Sequence, residues 1–306
     1  MKTRFIFNPN SGKNRRDPWL VRAIPSFIAQ HGLDANLVFT DAPGHATVLA
    51  RKAVAEDCER IVAVGGDGTL NEVAQAVAGT RACLALVPCG SGNGLALHLG
   101  IPTAPLRALA LLRAGFSRNE MMDTGEADGR PFFNVMGLGF DAEIGFRFNR
   151  LERRGLPNYF RTGLAAFCEH RPERVTVTTG GRSVSLDAFL VAVSNSDQYG
   201  NNARIAPGAR VDDGRLDLVA VRPTGIFGAA SLATRLFFGG FDRSASVMRM
   251  GGATFTIDRA KPGLFHTDGE THQGPARLEV IVRPRHLRIA VPATTQSRYP
   301  ARKDAK

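Results

Sequence analysis

The alternation of apolar and polar positions divides the chain into two textures. Through residues 1–115, short apolar runs alternate with amphipathic stretches. RFIFN (4–8), NLVFT (36–40), RIVAV (60–64) and CLALV (83–87) have the length and composition of buried strands, and 17–31, 45–57, 69–77 and 105–114 have helical spacing. This order predicts a parallel sheet flanked by helices. In such sheets ligands bind beyond the carboxyl ends of the strands, so the loops there are where chemistry is expected.

Beyond Phe116 the pattern becomes strands closed by Asp-Gly and Gly-Gly turns, as in TGEADGRPFFNV, RVTVTTGGRSVSLDAFLVAV, ASVMRMGGATFTI and RLEVIV. A second, mostly antiparallel domain follows, interrupted by helices over 142–170 and 226–238. The expected partition is 1–117, 118–290 and a frayed tail, 291–306. No internal repeat or low-complexity tract is evident.

Three loops at strand ends share one character: NPNSGKN (8–14), GGDGT (65–69) and PCGSGNG (88–94). Glycine admits positive φ and lets a ligand approach amides that a Cβ would screen, and clustered N–H groups at a helix start attract anions. Any one of them alone reads as a tight turn. None has P-loop spacing, and GLGFDA (137–142), formally G-x-G-x-x-A, lacks the acidic residue that a dinucleotide site needs about 20 residues on. Asp67, between glycines at the mouth of a strand, either caps the helix that follows or binds a magnesium-held water or takes a proton from an attacking hydroxyl.

Composition narrows the partners. The chain has 306 residues, 43% of them hydrophobic, and a net charge of +11, which suits an anionic partner: nucleotide, nucleic acid or acidic lipid. The basic residues are spread along the sequence except in NRLERR (149–154), with no stripe interleaved with aromatics, so nucleic acid is set aside. Cys58, Cys83, Cys89 and Cys168 have neither disulfide nor zinc spacing. The N-terminus has no signal-like apolar core and no stretch is long enough to span a bilayer, so a cytoplasmic protein that touches membranes peripherally is expected.

NPNSG, GGDGTLNEV and PCGSGNGLA, in this order, together with MDTGEADGRPFFNVMGLGFDAEI, ARIAPGARVDDGRLDLVAV and LFHTDGE, carry a further signal over nearly the whole chain. The set resembles the catalytic region of diacylglycerol kinases, sphingosine and ceramide kinases and bacterial YegS-type lipid kinases. The resemblance implies a Rossmann-like three-layer α/β nucleotide-binding domain, then an antiparallel β-sandwich-like domain. It implies transfer of the γ-phosphate of ATP, with Mg²⁺, to a hydroxyl of a diacylglycerol or sphingoid-like lipid at a membrane surface.

On that resemblance Asn8, Ser11, Gly12, Thr40, Gly66, Gly68, Thr69, Ser91, Gly92 and Asn93 lie around the nucleotide, with Asp268 beside them. Asp67 is the base or the ligand of a metal-bound water, and Glu270 is its rival as base. Asp123 helps to hold Mg²⁺ through water, Asn134 matches the family pattern nearby, and Asp141 recognises the lipid headgroup. Gly94 stands where many diacylglycerol kinases have an acid, which brings the third loop closer to the sphingosine-kinase form. Asp212 and Asp213 either hold a structural divalent ion or make an Asp-Gly turn. Arg154 and Arg161 either brace phosphate or face solvent, and His266 neighbours the site. Two other functions stay open: an NAD-kinase-like transfer to a soluble acceptor, and a non-catalytic nucleotide or lipid sensor. A homodimer is left open too.

Overall fold

The apolar runs of the first half form the strands expected of them. The structure is a computed structural model that describes residues 1–16, 19–113, 115–149 and 169–293. It divides into two units, one of residues 1–123, 199–202 and 285–306, the other of 124–198 and 203–284.

The first unit runs β1 (Thr3–Phe7), α1 (Gly12–Arg16), α2 (Leu20–Gln30), β2 (Ala35–Phe39), α3 (His45–Ala55), β3 (Arg60–Gly65), α4 (Asp67–Val77), β4 (Cys83–Pro88), α5 (Gly94–His98), α6 (Pro105–Ala110) and β5 (Ser117–Ala127). The expected domain boundary at 117–118 falls at the start of β5, whose Asp123 is still part of this unit. Strands β2, β1, β3 and β4 pair in that order and all in parallel. Every residue of β1, β3 and β4 is buried, and beyond Thr3, Arg4 and Arg60 at the strand starts the positions form apolar runs, because helices cover a parallel sheet on both faces. β2 lies at the edge and is only partly covered. The order reverses direction between β1 and β3, the topological switch where open α/β sheets bind ligands.

Several boundaries differ from the periodicity for local reasons. α4 starts at Asp67, because Gly66 is extended and the acid falls in the first turn, where the helix dipole favours it. α3 stops at Ala55 and Asp57 takes a φ of 57°. α1 and α5 are five residues each, too short for a helical period to register.

In the second unit come β6 (Arg130–Phe132), β7 (Val135–Gly139), α7 (Phe140–Asn149), β8 (Glu173–Thr179), β9 (Arg182–Ala188), β10 (Leu190–Ser194), β11 (Leu216–Val221), α8 (Ile226–Phe238), β12 (Val247–Gly252), β13 (Thr254–Arg259), β14 (Gly263–Thr267), β15 (Glu270–Gly274) and β16 (Arg277–Pro292), of which residues from Arg285 on belong to the first unit. One sheet has the order β12-β11-β10-β7-β14-β15 and is antiparallel throughout. The start of β16 pairs with β13, and β13 with β8 and β8 with β9, also antiparallel. Met136, Leu138, Val191, Val193, Leu216 and Leu218 of the first set share one buried core with Val175, Val177, Phe255, Ile257, Leu278 and Val280 of the second, which makes a β-sandwich.

GLGFDA leaves an antiparallel strand, not the parallel strand of a dinucleotide-binding βαβ unit, so its glycines serve another purpose. Of the helix expected over 142–170, α7 accounts for the beginning; Arg154, Arg161 and Cys168 lie outside the described residues, as does the tail from 294.

A buried guanidinium fixes the β14–β15 hairpin. Arg259 is 7% exposed, and its nitrogens donate to the carbonyls of Gly263, Leu264, Gly274 and Pro275 at 2.8–3.1 Å, across the open end of the hairpin. Arg259→Met removes the donors and strands those acceptors, and we expect a loss of about 3 kcal/mol in urea unfolding.

Candidate functional site

The three glycine loops meet at the carboxyl ends of β1, β3 and β4. The loop after β1 begins with Asn8, whose backbone N–H donates to Val64 O and whose Nδ2 donates to Thr69 Oγ1 at 2.8 Å. Ser11 Oγ accepts the N–H of Gly66 at 3.1 Å and lies 3.4 Å from Thr69 Oγ1. Asn8, Ser11, Gly66 and Thr69 are therefore one connected group. Thr40, buried at the end of β2, donates its N–H to Phe7 O and so borders the same loop. Gly12 and Lys13 abut the third loop: Lys13 N donates to Cys89 O, and a Cβ on Gly12 would stand 2.9 Å from that same oxygen.

Most of these glycines make room for the chain itself. A Cβ on Gly90 would lie 2.7 Å from Gly66 Cα, and one on Gly65 would lie 2.4 Å from Thr69 Oγ1. A Cβ on Gly92 would stand 3.0 Å from Asp67 Oδ2. Gly68 is different: it is exposed, in the first turn of α4, and its missing Cβ would meet nothing within 4 Å. It is the glycine in this set whose missing side chain faces open space.

Asp67 joins the second loop to the third. Its Oδ2 accepts the N–H of Asn93 at 2.8 Å and its Oδ1 the N–H of Gly94 at 2.9 Å. The capping reading of this acid is realised on a different helix from the one it opens: the carboxylate supplies the charged acceptor at the start of α5. Asn93 holds the left-handed conformation needed there, at φ 50°, with its side chain bonded to Gly90 N and O. Each Asp67 oxygen keeps a further lone pair for another donor.

Beside these loops the first unit has a cavity of about 360 Å³, walled by Lys13, Arg16, Ser91, Gly92, Thr103 and Asn201 among others. Two cations and a run of backbone amides suit an anion. Lys13 is tethered through Nζ to Thr103 O. Asp123 is 1% exposed in β5, and its Oδ1 accepts the N–H of Arg285 at 2.7 Å.

Acidic candidates in the second unit gather around β7 and β14. Thr267, Asp268, Gly269 and Glu270 make a two-residue hairpin turn with φ of 48° at Asp268 and 85° at Gly269, the geometry that Asp-Gly supplies. Asp268 turns inward: its Oδ2 accepts the N–H of Phe133, and its Oδ1 those of Asn134 and Val135, all within 2.9 Å. Burial pushes this carboxyl up to about 6, against the pull of the three N–H groups and of His266. Glu270, by contrast, is exposed at the head of β15.

Asp141 Oδ2 lies 3.0 Å from His266 Nε2, and a Cβ on Gly137 would collide with both side chains. The first glycine of GLGFDA therefore gives passage to this pair over β7. Burial disfavours the charged imidazole, yet the Asp141 charge and hydrogen bond, joined by the Asp268 charge, outweigh it and raise the pKa of His266. Asn134 is spent on its neighbours, with Nδ2 donating to Gln198 O at 2.7 Å and Oδ1 accepting from Ser196.

Ser194 to Gln198 are five consecutive polar residues that are at most 2% exposed. Sequence reasoning passed over them, since a polar run after a strand reads as an exposed loop. In place they support the turn that carries Asn134: Asn195 donates its N–H to Asn134 O and its Nδ2 to Phe133 O. At the other expected metal position, Asp212 receives Arg210 through Nε at 2.9 Å and Nη2 at 3.0 Å, and Asp213 Oδ1 accepts the N–H of Arg215. This is the bonding of a closed Asp-Gly turn. No group of three His, Cys, Asp or Glu side chains fit to hold a metal occurs among the described residues. Mg²⁺ suits the glycine loops only as an ion that arrives on phosphate oxygens and keeps its waters, as it commonly does.

Comparison with known proteins covers both units. Residues 2–126 match the sequence profile of the diacylglycerol kinase catalytic domain, and residues 134–291 that of the YegS C-terminal NAD kinase beta sandwich-like domain. A probable lipid kinase YegS-like of Pseudomonas aeruginosa is 32% identical over 93% of this chain and 94% of its own length. A diacylglycerol kinase of Bacillus subtilis is 26% identical over 95% and 96%. The crystal structure of a putative diacylglycerol kinase from Bacillus anthracis superposes with a TM-score of 0.80 over 96% of each chain at 22% identity, a likeness of fold.

Two expectations follow from this geometry. Gly68→Ala, in a helix with nothing for the new methyl to strike, should raise stability by about 0.5–1 kcal/mol, whereas Gly90→Ala should lower it by about 2 kcal/mol or more, both read by urea unfolding. The imidazole of His266 should titrate above its ordinary 6.5 by NMR, and below it in Asp141→Asn, where burial and the Gly269 N–H facing Nδ1 both favour the neutral ring. Because its folded pKa is the higher one, the stability His266 contributes is complete below pH 6.5 and is lost as pH rises through the folded value. The raised carboxyl of Asp268 acts in the same sense, its share being lost as pH rises through about 6.

Proposed function

We propose a specific reaction for a chain that belongs to the family of diacylglycerol kinases and YegS-like lipid kinases: transfer of the γ-phosphate of ATP to a hydroxyl of a membrane lipid of the diacylglycerol or sphingoid-like class. The observation that carries this reading is Gly68, exposed in the first turn of α4 beside the switch point of the sheet with nothing within 4 Å of where a Cβ would stand, while Cβ atoms on Gly12, Gly65, Gly66, Gly90 and Gly92 would meet other parts of the chain. Family membership makes the protein a phosphotransferase; the acceptor, the metal and the membrane are the parts proposed.

Phosphoryl transfer asks a protein mainly for alignment and for neutralisation of phosphate charge. In the first unit the amides around Gly66, Gly68 and Thr69, the Ser91–Gly92 backbone and the cations Lys13 and Arg16 serve that end. Asn8, Ser11 and Thr69 form the polar wall beside them. Mg²⁺, bound with the nucleotide, would neutralise charge on the transferring phosphoryl group. Asp67 keeps the second and third loops in register, and with its remaining lone pairs accepts either a metal-bound water or the proton of the attacking hydroxyl. Asp123 would help to hold Mg²⁺ through water. Exposed Glu270 is the rival base, and Asp268 orders the Phe133–Val135 backbone from behind. In this reading Asp141, held by His266, presents a carboxylate to the lipid headgroup.

The direct test incubates the protein with radiolabelled ATP, Mg²⁺ and mixed micelles of diacylglycerol, sphingosine or phosphatidylglycerol, with NAD as a soluble control acceptor. Label should enter one lipid class and not NAD. Asp67→Asn should lower kcat by about a hundredfold or more while the protein remains folded. If Asp67→Asn is fully active and Glu270→Gln is dead, the base is Glu270. Gly68→Ala should weaken ATP binding about tenfold or more by calorimetry, since its methyl takes the space assigned to a phosphate. Transfer to NAD alone would overturn the lipid assignment.

A further inference from the structure

Nine large apolar side chains are exposed among the described residues, and four of them, Ile226, Phe227, Phe237 and Phe238, belong to the 13-residue helix α8. Their exposures are 61%, 90%, 51% and 87%. The buried side chain of this helix is Leu232. At about 100° per residue, Ile226, Phe227, Ala230, Phe237 and Phe238 fall within an arc of about 120° centred opposite Leu232. A surface helix ordinarily turns its apolar stripe inward; α8 turns one outward, toward water. The arrangement makes sense when that face has an apolar medium to enter.

The charges around it indicate which medium. α8 has no acidic residue, and its one charged side chain is Arg235. Arg222, Arg235 and Arg243 are exposed, and Asp242 is the one acid between 222 and 243. Arg204 joins them, since its backbone N–H donates to Leu236 O at 2.7 Å and its side chain is 47% exposed. Two copies packed through this face would bring like-charged arginines together, whereas an anionic bilayer offers phosphates to the arginines and acyl chains to the phenylalanines. Thirteen residues make a helix of about 20 Å, short of the roughly 30 Å of a hydrocarbon core, so the helix lies in the interface and does not cross it.

We propose that α8 is the element that seats the protein on an anionic membrane surface, with Phe227 and Phe238 entering past the headgroups and the surrounding arginines on lipid phosphates. Its purpose rests on the lipid-kinase reading above; its test does not, because no phosphoryl transfer is measured.

The experiment is flotation of the full chain with phosphatidylcholine vesicles of increasing phosphatidylglycerol content, without ATP. Binding should rise with phosphatidylglycerol. Phe227→Ser/Phe238→Ser should weaken it about a hundredfold with an unchanged melting curve, since both side chains are exposed, and Phe227→Leu/Phe238→Leu should restore most of it. Arg235→Gln/Arg243→Gln should blunt the response to phosphatidylglycerol. Serine variants that float as well as the parent would overturn the proposal. So would a parent that ignores vesicles and forms dimers, seen by sedimentation velocity, that the serine pair dissolves. If the micelle assay finds no kinase activity while the serine pair abolishes flotation, the functional reading fails and the membrane seat stands.

Discussion

The carboxylate of Asp67, receiving the N–H groups of Asn93 and Gly94, is the interaction on which the first unit's site depends. It fastens the start of α4 to the start of α5. The fastening works at short range because Gly66 and Gly90 have no side chains to keep their backbones apart. With the loop after β1 joined through Ser11 and Asn8, three strand ends become one surface of amides and hydroxyls. The two bonds to the Asp67 carboxylate are charge-assisted and the others neutral; together they fix the three loops against one another.

The second unit solves the opposite electrostatic problem. It keeps acids close together and out of water: Asp268 among three amides, Asp141 against His266, with Ser194 to Gln198 buried beneath. Buried acids are costly unless satisfied, and here three backbone N–H groups serve Asp268 and the His266 imidazole serves Asp141, whereas Ser194 Oγ and Gln198 Oε1 have no hydrogen-bond partner among the described residues. The hairpin that carries Asp268 is held at its open end by Arg259 and at its tip by the Asp-Gly turn, so the carboxylate is aimed by covalent geometry at one end and a buried cation at the other.

Much of this was legible in the sequence. Strands buried on both faces announce themselves as apolar runs, and β1, β3 and β4 are of that kind; α8 matched its expected bounds because it is long enough to show a period. α1 and α5 are single turns and left no such trace. The glycine loops were recognisable as a set, but composition cannot tell a glycine that admits a ligand from one that admits another loop: Gly65, Gly66 and Gly90 are the second kind, and only coordinates separate Gly68 from them. Gly137 stands in a run that matches a nucleotide fingerprint in form only, and it is a passage for Asp141 and His266. The buried run 194–198 was illegible, because the partners that Asn195 and Ser196 bond, Phe133 and Asn134, lie 62 residues away in sequence.

The central physical claim is that backbone amides of the glycine loops hold a polyphosphate. The most direct measurement is the backbone amide spectrum of ¹⁵N-labelled protein titrated with ATP and Mg²⁺. The account expects the largest shifts at Ser11, Gly66, Gly68, Thr69, Ser91 and Gly92, saturating together. Saturable binding that leaves those amides unmoved and shifts others would contradict it.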